Sequence, residues 1–164
     1  GETFFQRLLR PIELKYIALY RKANNCRFAP LRLYYTVKLK LVSYKTHIQI
    51  PARTQIGEGF YIGHSGRLII HPEAKIGKNV NVATGVTIGY ENRGERKGAP
   101  TIKGKCWIGT NSVIVGNVII GEDVMIAPLT FVNFDVPAHS IVIGNPAKII
   151  RKEDATKDYI QNKI

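Results

Sequence analysis

Residues 102–132 read IKGKCWIGTNSVIVGNVIIGEDVMIAPLTFV. An aliphatic residue returns at every sixth place: Ile102, Ile108, Ile114, Ile120, Ile126 and Val132. The same step runs upstream through Ile50, Ile56 and Ile62, and then through Ile70, Ile76, Val82 and Ile88. Four places after each aliphatic the residue is usually small or β-branched, as at Thr54, Ala74, Val80, Val86, Ser112, Val118, Val124 and Thr130. Glycine often follows directly, at Gly57, Gly63, Gly77, Gly89, Gly109 and Gly121. A lone helix repeats at about 3.6 residues and a coiled coil at about 3.5, so neither accounts for a period of six. A solenoid coil with three flat sides of about six residues each does. The aliphatics then point inward and stack rung on rung, and a glycine beside a corner lets the backbone turn sharply.

The period breaks in two places. Ile62 and Ile70 are eight residues apart, so two residues are inserted around Gly63-His64-Ser65-Gly66. From Gly89 to Pro100 the chain is polar and glycine-rich and reads as a loop leaving the wall. Interruptions of a regular solenoid mark functional projections. After Val132, Asp135 to Ser140 reads as a turn, and Ile141 to Lys148 brings the chain back for a final rung.

Outside the repeat, residues 1–24 and the stretch after Pro30 to about Tyr44 read as helices. Phe4, Leu8, Ile12, Leu14, Ile17 and Leu19 form the apolar side of the first. These segments are expected to cap the first coil, whose strand edges would otherwise be unpaired. The expected division is a basic helical segment over 1–47, the solenoid over 48–150, and a tail over 151–164 that carries a short helix.

The chain of 164 residues has a net charge of +12, and 45% hydrophobic content supplies a core. Residues 1–47 hold ten Lys and Arg against Glu2 and Glu13. Such a face attracts anions. No nucleic-acid module is present, so an anionic membrane surface or an acidic or lipid-linked glycan fits better than nucleic acid, and a basic face that is simply solvated is the leading alternative to both. No apolar run is long enough to span a bilayer, and residues 2–24 lack the pattern of a signal peptide. Cys26 and Cys106 read as small hydrophobes rather than a disulfide, which points to the cytosol, with contact at the inner face of the membrane as an extension of the charge reading. The spacings of His47, His64, His71 and His139 do not suit a three-histidine zinc site, and no metal is expected.

The repeat resembles the hexapeptide repeat, and the resemblance implies an all-β, left-handed parallel β-helix; the usual crossover is right-handed, so handedness comes from the likeness. Ile62 to Gly66 (IGHSG), Gly85 to Gly89 (GVTIG), Ile108 to Asn117 (IGTNSVIVGN), and Val136 to Ser140 with Gly144 to Lys148 (VPAHS, GNPAK) resemble the serine acetyltransferase branch of the hexapeptide acyltransferases. The likeness covers roughly residues 48–150. It implies acetyl-CoA as donor, a homotrimer or a dimer of trimers, and active sites between neighbouring prisms.

The resemblance places the general base at His64. An alcohol attacks a thioester at neutral pH only as it loses its proton, and imidazole titrates near that pH. For acetyl-CoA it places backbone around Gly89, Thr110, Ala127 and Pro128 along the pantetheine, with Lys148 and Arg151, or Lys103 and Lys105, toward the phosphates. Trp107 covers the pantetheine or packs between subunits. Main-chain N–H groups of Gly85 to Gly89 are the expected oxyanion donors.

Three positions depart from the family pattern. Gln49 stands where the carboxylate partner of the base belongs, Gly63 where an aspartate precedes the histidine, and Ala99 near the second active-site histidine. The last two bind the amino-acid acceptor in that family. The expected function is therefore transfer of acetyl to a sugar hydroxyl in polysaccharide biosynthesis, on a nucleotide sugar, a lipid-linked unit or a polymer. Tyr61, Ser65, Arg67, Tyr90, Asn92 and Arg93 are the candidate sugar ligands. Serine O-acetylation is the alternative. A non-catalytic anion-binding scaffold follows from charge alone but leaves the two breaks and the closing motif unexplained.

Overall fold

Each aliphatic of the six-residue series sits in a strand of two or three residues or directly beside one, and each lies in the core. The strands are too short to stand alone, and every one is paired to the coil above or below. A computed structural model describes residues 11–160. The chain forms a left-handed parallel β-helix of about five coils. One face carries β1 (Ile48–Gln49), β4 (Leu68–Ile70), β7 (Thr87–Gly89), β10 (Val113–Val115) and β13 (Phe131–Val132) in that order. The second carries β2 (Gln55–Ile56), β5 (Lys75–Ile76), β8 (Thr101–Ile102) and β11 (Ile119–Ile120). The third carries β3 (Tyr61–Ile62), β6 (Asn81–Val82), β9 (Trp107–Ile108), β12 (Val124–Ile126) and β14 (Ser140–Gly144).

Register puts like on like. Ile56, Ile76, Ile102 and Ile120 align on the second face, and Ile62, Val82, Ile108, Ile126 and Val142 on the third. Cys106 is fully buried, at the corner position that Val80 and Val124 fill in the neighbouring coils.

Gly57, Gly77, Gly109 and Gly121, which follow aliphatics, serve close approach rather than the sharp turn expected of them. A Cβ on Gly57 would lie 2.6 Å from the carbonyl carbon of Gly77 in the next coil. The left-handed backbone that turns the corners falls instead on Asn79, Lys105, Asp123 and His139 at one corner, and on Asn111 and Leu129 at another. Asn, Asp and His tolerate this conformation better than most residues.

Both breaks are visible as extra chain. Val113 pairs with Phe131, a step of 18, whereas Ile48 pairs with Leu68, a step of 20. The two added residues lie between Gly63 and Arg67, and Gly66 there has φ +134°. The second insertion folds as a small hairpin: Glu91 and Gly98 exchange main-chain hydrogen bonds, and Arg96 pairs with Asp135 at 3.2 Å.

Helices α1 (Ile12–Asn25) and α2 (Ala29–Thr46) cover the first coil. Tyr16 exchanges hydrogen bonds with the main chain of Ile50, Tyr20 donates to the Thr54 carbonyl, and Arg21 donates to those of Ile56 and Gly57. The cap thus satisfies polar groups that the next coil would otherwise meet. The buried side of α1 is Glu13, Tyr16, Tyr20 and Ala23; Ile12 and Leu14, expected inside, are exposed. Phe4 and Leu8 lie outside the described residues. The C-terminal end also differs from expectation. β15 (Ala147–Arg151) turns back antiparallel on β14, and residues 153–159 form turns, with no helix among the described residues beyond Arg151. Ile164 lies outside them.

Candidate active site

The two-residue insertion pushes His64 and Ser65 out of the corner that follows β3. His64 is exposed, and its ring has no hydrogen bond among the described residues. It lines a cavity of about 280 Å³ with Tyr61, Gly63, Asn81, Val82, Ala83, Trp107, Thr110 and Tyr159. The wall comes from three consecutive coils, because Tyr61, Asn81 and Trp107 are register partners on β3, β6 and β9. Their neighbours Ile62, Val82 and Ile108 point into the core, so strand alternation turns these three outward.

Asn81 is 3% exposed. Its Nδ2 donates to the Tyr159 carbonyl at 2.8 Å, while its Oδ1 is buried with no partner among the described residues. The Tyr159 ring lies 4.9 Å from that of Trp107. The tail is therefore part of the wall. It is held there by Asp123, whose carboxylate accepts from the Ala155 and Thr156 amides, the Thr156 hydroxyl and His139 Nδ1. Burial raises the Asp123 carboxyl, but these hydrogen bonds outweigh it and hold the group below its usual range. The same bond to Asp123 raises the His139 imidazole.

The candidates from the sequence separate into groups. His64, Tyr61 and Thr110 share the cavity. Gly63, Ala83, Gly109 and Ala127 occupy one corner in successive coils, linked by Gly63 N–H to Val82, Ala83 N–H to Ile108 and Gly109 N–H to Ile126. Three coil steps, at about 4.8 Å each, carry this edge about 14 Å from Gly63 to Ala127. Pro128 follows it, whereas Gly89 lies on the first face beside Val115. Tyr90 packs on His71 and lines a separate open cavity with Lys97 and Ala99. Asn92, Arg93 and Arg67 are exposed and line neither cavity. Lys148 and Lys103 are exposed, and Arg151 donates to the Ala138 carbonyl.

Several expected roles change. Ser65 donates its hydroxyl to Glu13, a buried carboxylate of α1, which ties the insertion to the cap. The amides of Gly85 and Thr87 are engaged by the carbonyls of Arg67 and Ser112, so they are not free oxyanion donors. Lys105 pairs with Glu122 at 3.1 Å. Gln49 lines a cavity beneath α2 with Lys40, Ser43 and Tyr44, and makes no hydrogen bond to His64. Trp107 packs on the chain's own tail. Sequence reading missed Asn81, Glu13 and Tyr159. The register could have revealed Asn81, a polar residue between two aromatics on one outward row.

Among the described residues no group of His, Cys, Asp and Glu could hold a metal ion. None of their helices is long and apolar enough to cross a membrane.

Residues 99–133 match the family model described as bacterial transferase hexapeptide (six repeats). The chain is 36% identical to serine acetyltransferase 2 of Arabidopsis thaliana over 126 residues, 70% of this chain and 39% of that protein. It is 31% identical to the serine acetyltransferase of Helicobacter pylori (strain ATCC 700392 / 26695) over 114 residues, 70% of this chain and 67% of that protein. This chain belongs to the serine acetyltransferase family. The crystal structure of serine acetyltransferase from Brucella abortus strain S19 superposes with a TM-score of 0.76 at 26% identity, over 93% of this chain and 62% of that one. The chain spans less than two thirds of the first curated family members it matches, 39% of the Arabidopsis protein among them.

Membership of the serine acetyltransferase family overturns the expected sugar acceptor and its place in polysaccharide biosynthesis. That expectation rested on three missing side chains, at Gln49, Gly63 and Ala99. Of those three positions only Gly63 lines the His64 cavity. Gln49 faces α2 and Ala99 lines the other cavity, while the polar groups beside His64 include Asn81, which no motif had marked.

Proposed function

We propose that the chain transfers acetyl from acetyl-CoA to the hydroxyl of serine, with His64 as general base. The observation that carries this is His64 itself: an accessible imidazole with no hydrogen-bond partner among the described residues, on an insertion in the solenoid that opens into a polar cavity three coils deep. The imidazole accepts the hydroxyl proton as the serine oxygen bonds to the acetyl carbonyl. The carbon–sulfur bond then breaks, and the proton leaves with sulfur as the CoA thiol. A base within reach of the hydroxyl is worth about 10²–10⁴ in rate. Holding both substrates together supplies the rest without a covalent enzyme intermediate.

The corner of Gly63, Ala83, Gly109 and Ala127 supports the donor assignment. Small residues put no bulky side chain along this edge, so an extended thioester chain can lie over it toward Pro128, with Lys103 and Lys148 available to phosphate. Thr110 and Tyr61 offer hydroxyls at the cavity, and the buried Asn81 Oδ1 offers an acceptor to an ammonium or hydroxyl. Active sites shared between prisms of a homotrimer, and a cytoplasmic location, belong to the same reading.

The test is CoA release from acetyl-CoA by the purified protein with serine, with other hydroxyl amino acids and with a panel of free and nucleotide-linked sugars. Serine-dependent release supports the proposal. Release with sugars and none with serine overturns it.

A further inference from the structure

We propose that the outward face of α2 docks this protein peripherally on an anionic lipid bilayer. The helix has two apolar sides. Tyr35, Leu39 and Val42 pack inward on the rest of the core. On the opposite side Leu33, Tyr34, Val37, Leu41 and Tyr44 are 66%, 53%, 52%, 58% and 68% exposed. At 3.6 residues per turn these five span an arc of about 100°. A helix that is apolar on both sides is ordinarily covered on both.

The charges beside the stripe say what covers it. Lys40 borders one edge of the arc, and Lys38 and Lys45 border the other, all exposed. Residues 29–46 contain Arg32 and these three lysines and no Asp or Glu. None of the four has an ion pair among the described residues. Long lysine stems can lie along an apolar slab and deliver their ammonium groups to the headgroup layer. An anionic bilayer meets both demands, since its acyl boundary takes Leu33, Val37 and Leu41 while its phosphates take the lysines. A second copy on the same face would bring lysine edges together with no acid on either helix. The contact is peripheral, because no helix among the described residues can cross a membrane. No residue of α2 lines the cavity of His64, so the inference does not depend on the proposed chemistry.

The experiment is co-sedimentation of the full chain with extruded vesicles of phosphatidylcholine alone and of phosphatidylcholine with about 30 mol% phosphatidylglycerol. Three forms are compared: the natural sequence, Leu33→Glu/Leu41→Glu, and Lys38→Gln/Lys40→Gln/Lys45→Gln. Circular dichroism and thermal unfolding confirm that each is folded. Binding to the anionic vesicles alone, weakened by salt, cut at least about tenfold by the leucine pair and severalfold by the lysine triple, is the expected result. Equal binding to both vesicle types, or to neither, overturns it. Binding that the leucine pair leaves intact also overturns it, because the apolar stripe would then not be inserted. Self-association abolished by the leucine pair, with no vesicle binding, would give the face to a second copy instead.

Discussion

Asn81 ties the C-terminal tail to the wall of the His64 cavity, its Nδ2 donating to the main-chain carbonyl of Tyr159 at 2.8 Å. Asn81 also stands between Tyr61 and Trp107 in the outward row of the third face. One side chain therefore couples the position of the tail to the shape of the cavity.

Replacing Asn81 with Ala removes that link and leaves the Tyr159 carbonyl without its donor. A hydrogen bond of this kind contributes about 1 kcal/mol, so amide exchange in residues 155–160 should quicken roughly fivefold. Trp107 is the single tryptophan and touches the Tyr159 ring, so its emission should report the same loosening. The apparent KM for serine should rise more than kcat falls, since Asn81 supplies a binding group and no proton. Unchanged exchange and emission would mean that Asp123 alone holds the tail.

The Asp123–His139 pair gives tail docking a pH dependence. The hydrogen bond to Asp123 raises the His139 imidazole above its ordinary 6.5. Its contribution is thus full below pH 6.5 and is lost as pH rises through the raised value. Asp123 is shifted the other way from its ordinary 3.8, so its contribution is present above that pH and lost as pH falls through the lowered value. Docking should be strongest between about pH 4 and 6.5 and weaken on the alkaline side. Trp107 emission followed from pH 5 to 9 reads this. His139→Gln should remove the alkaline change; the same change in that variant would assign it to another group.

The cap is testable through Tyr16. Its hydroxyl serves the N–H and C=O of Ile50 and the Ser43 hydroxyl, and burial raises its pKa despite those bonds. Tyr16→Phe leaves buried main-chain groups of the first coil unpaired, at a cost of about 1–3 kcal/mol. For a chain of this size a loss of 2 kcal/mol lowers Tm by about 4–8 °C. A shift under about 1 °C would show that water satisfies Ile50 from outside the cap.

The solenoid was legible because one period repeats thirteen times in register, from Ile50 to Val132, and burial of each residue rewards the same spacing. The two breaks were legible as departures from that period. The helical cap was harder. Both sides of α2 are apolar, so composition could not say which side packs, and the buried row of α1 runs through Tyr16 and Tyr20 rather than Ile12 and Leu14. At the site, His64 stood out because it occupies a break. Asn81, Glu13 and Tyr159 did not, because each acts across tens of residues of chain. The acceptor was misread for the same reason: of the three motif positions only Gly63 lines the cavity, and Asn81, in the next coil of its wall, carried no motif.

The measurement that tests the central claim most directly is the steady-state rate of serine-dependent CoA release for His64→Ala beside the natural sequence, with thermal unfolding as a check on folding. A fall in kcat of about 10²–10⁴ with an unchanged Tm is the predicted result. Turnover within a few-fold of the natural sequence would contradict His64 as the base.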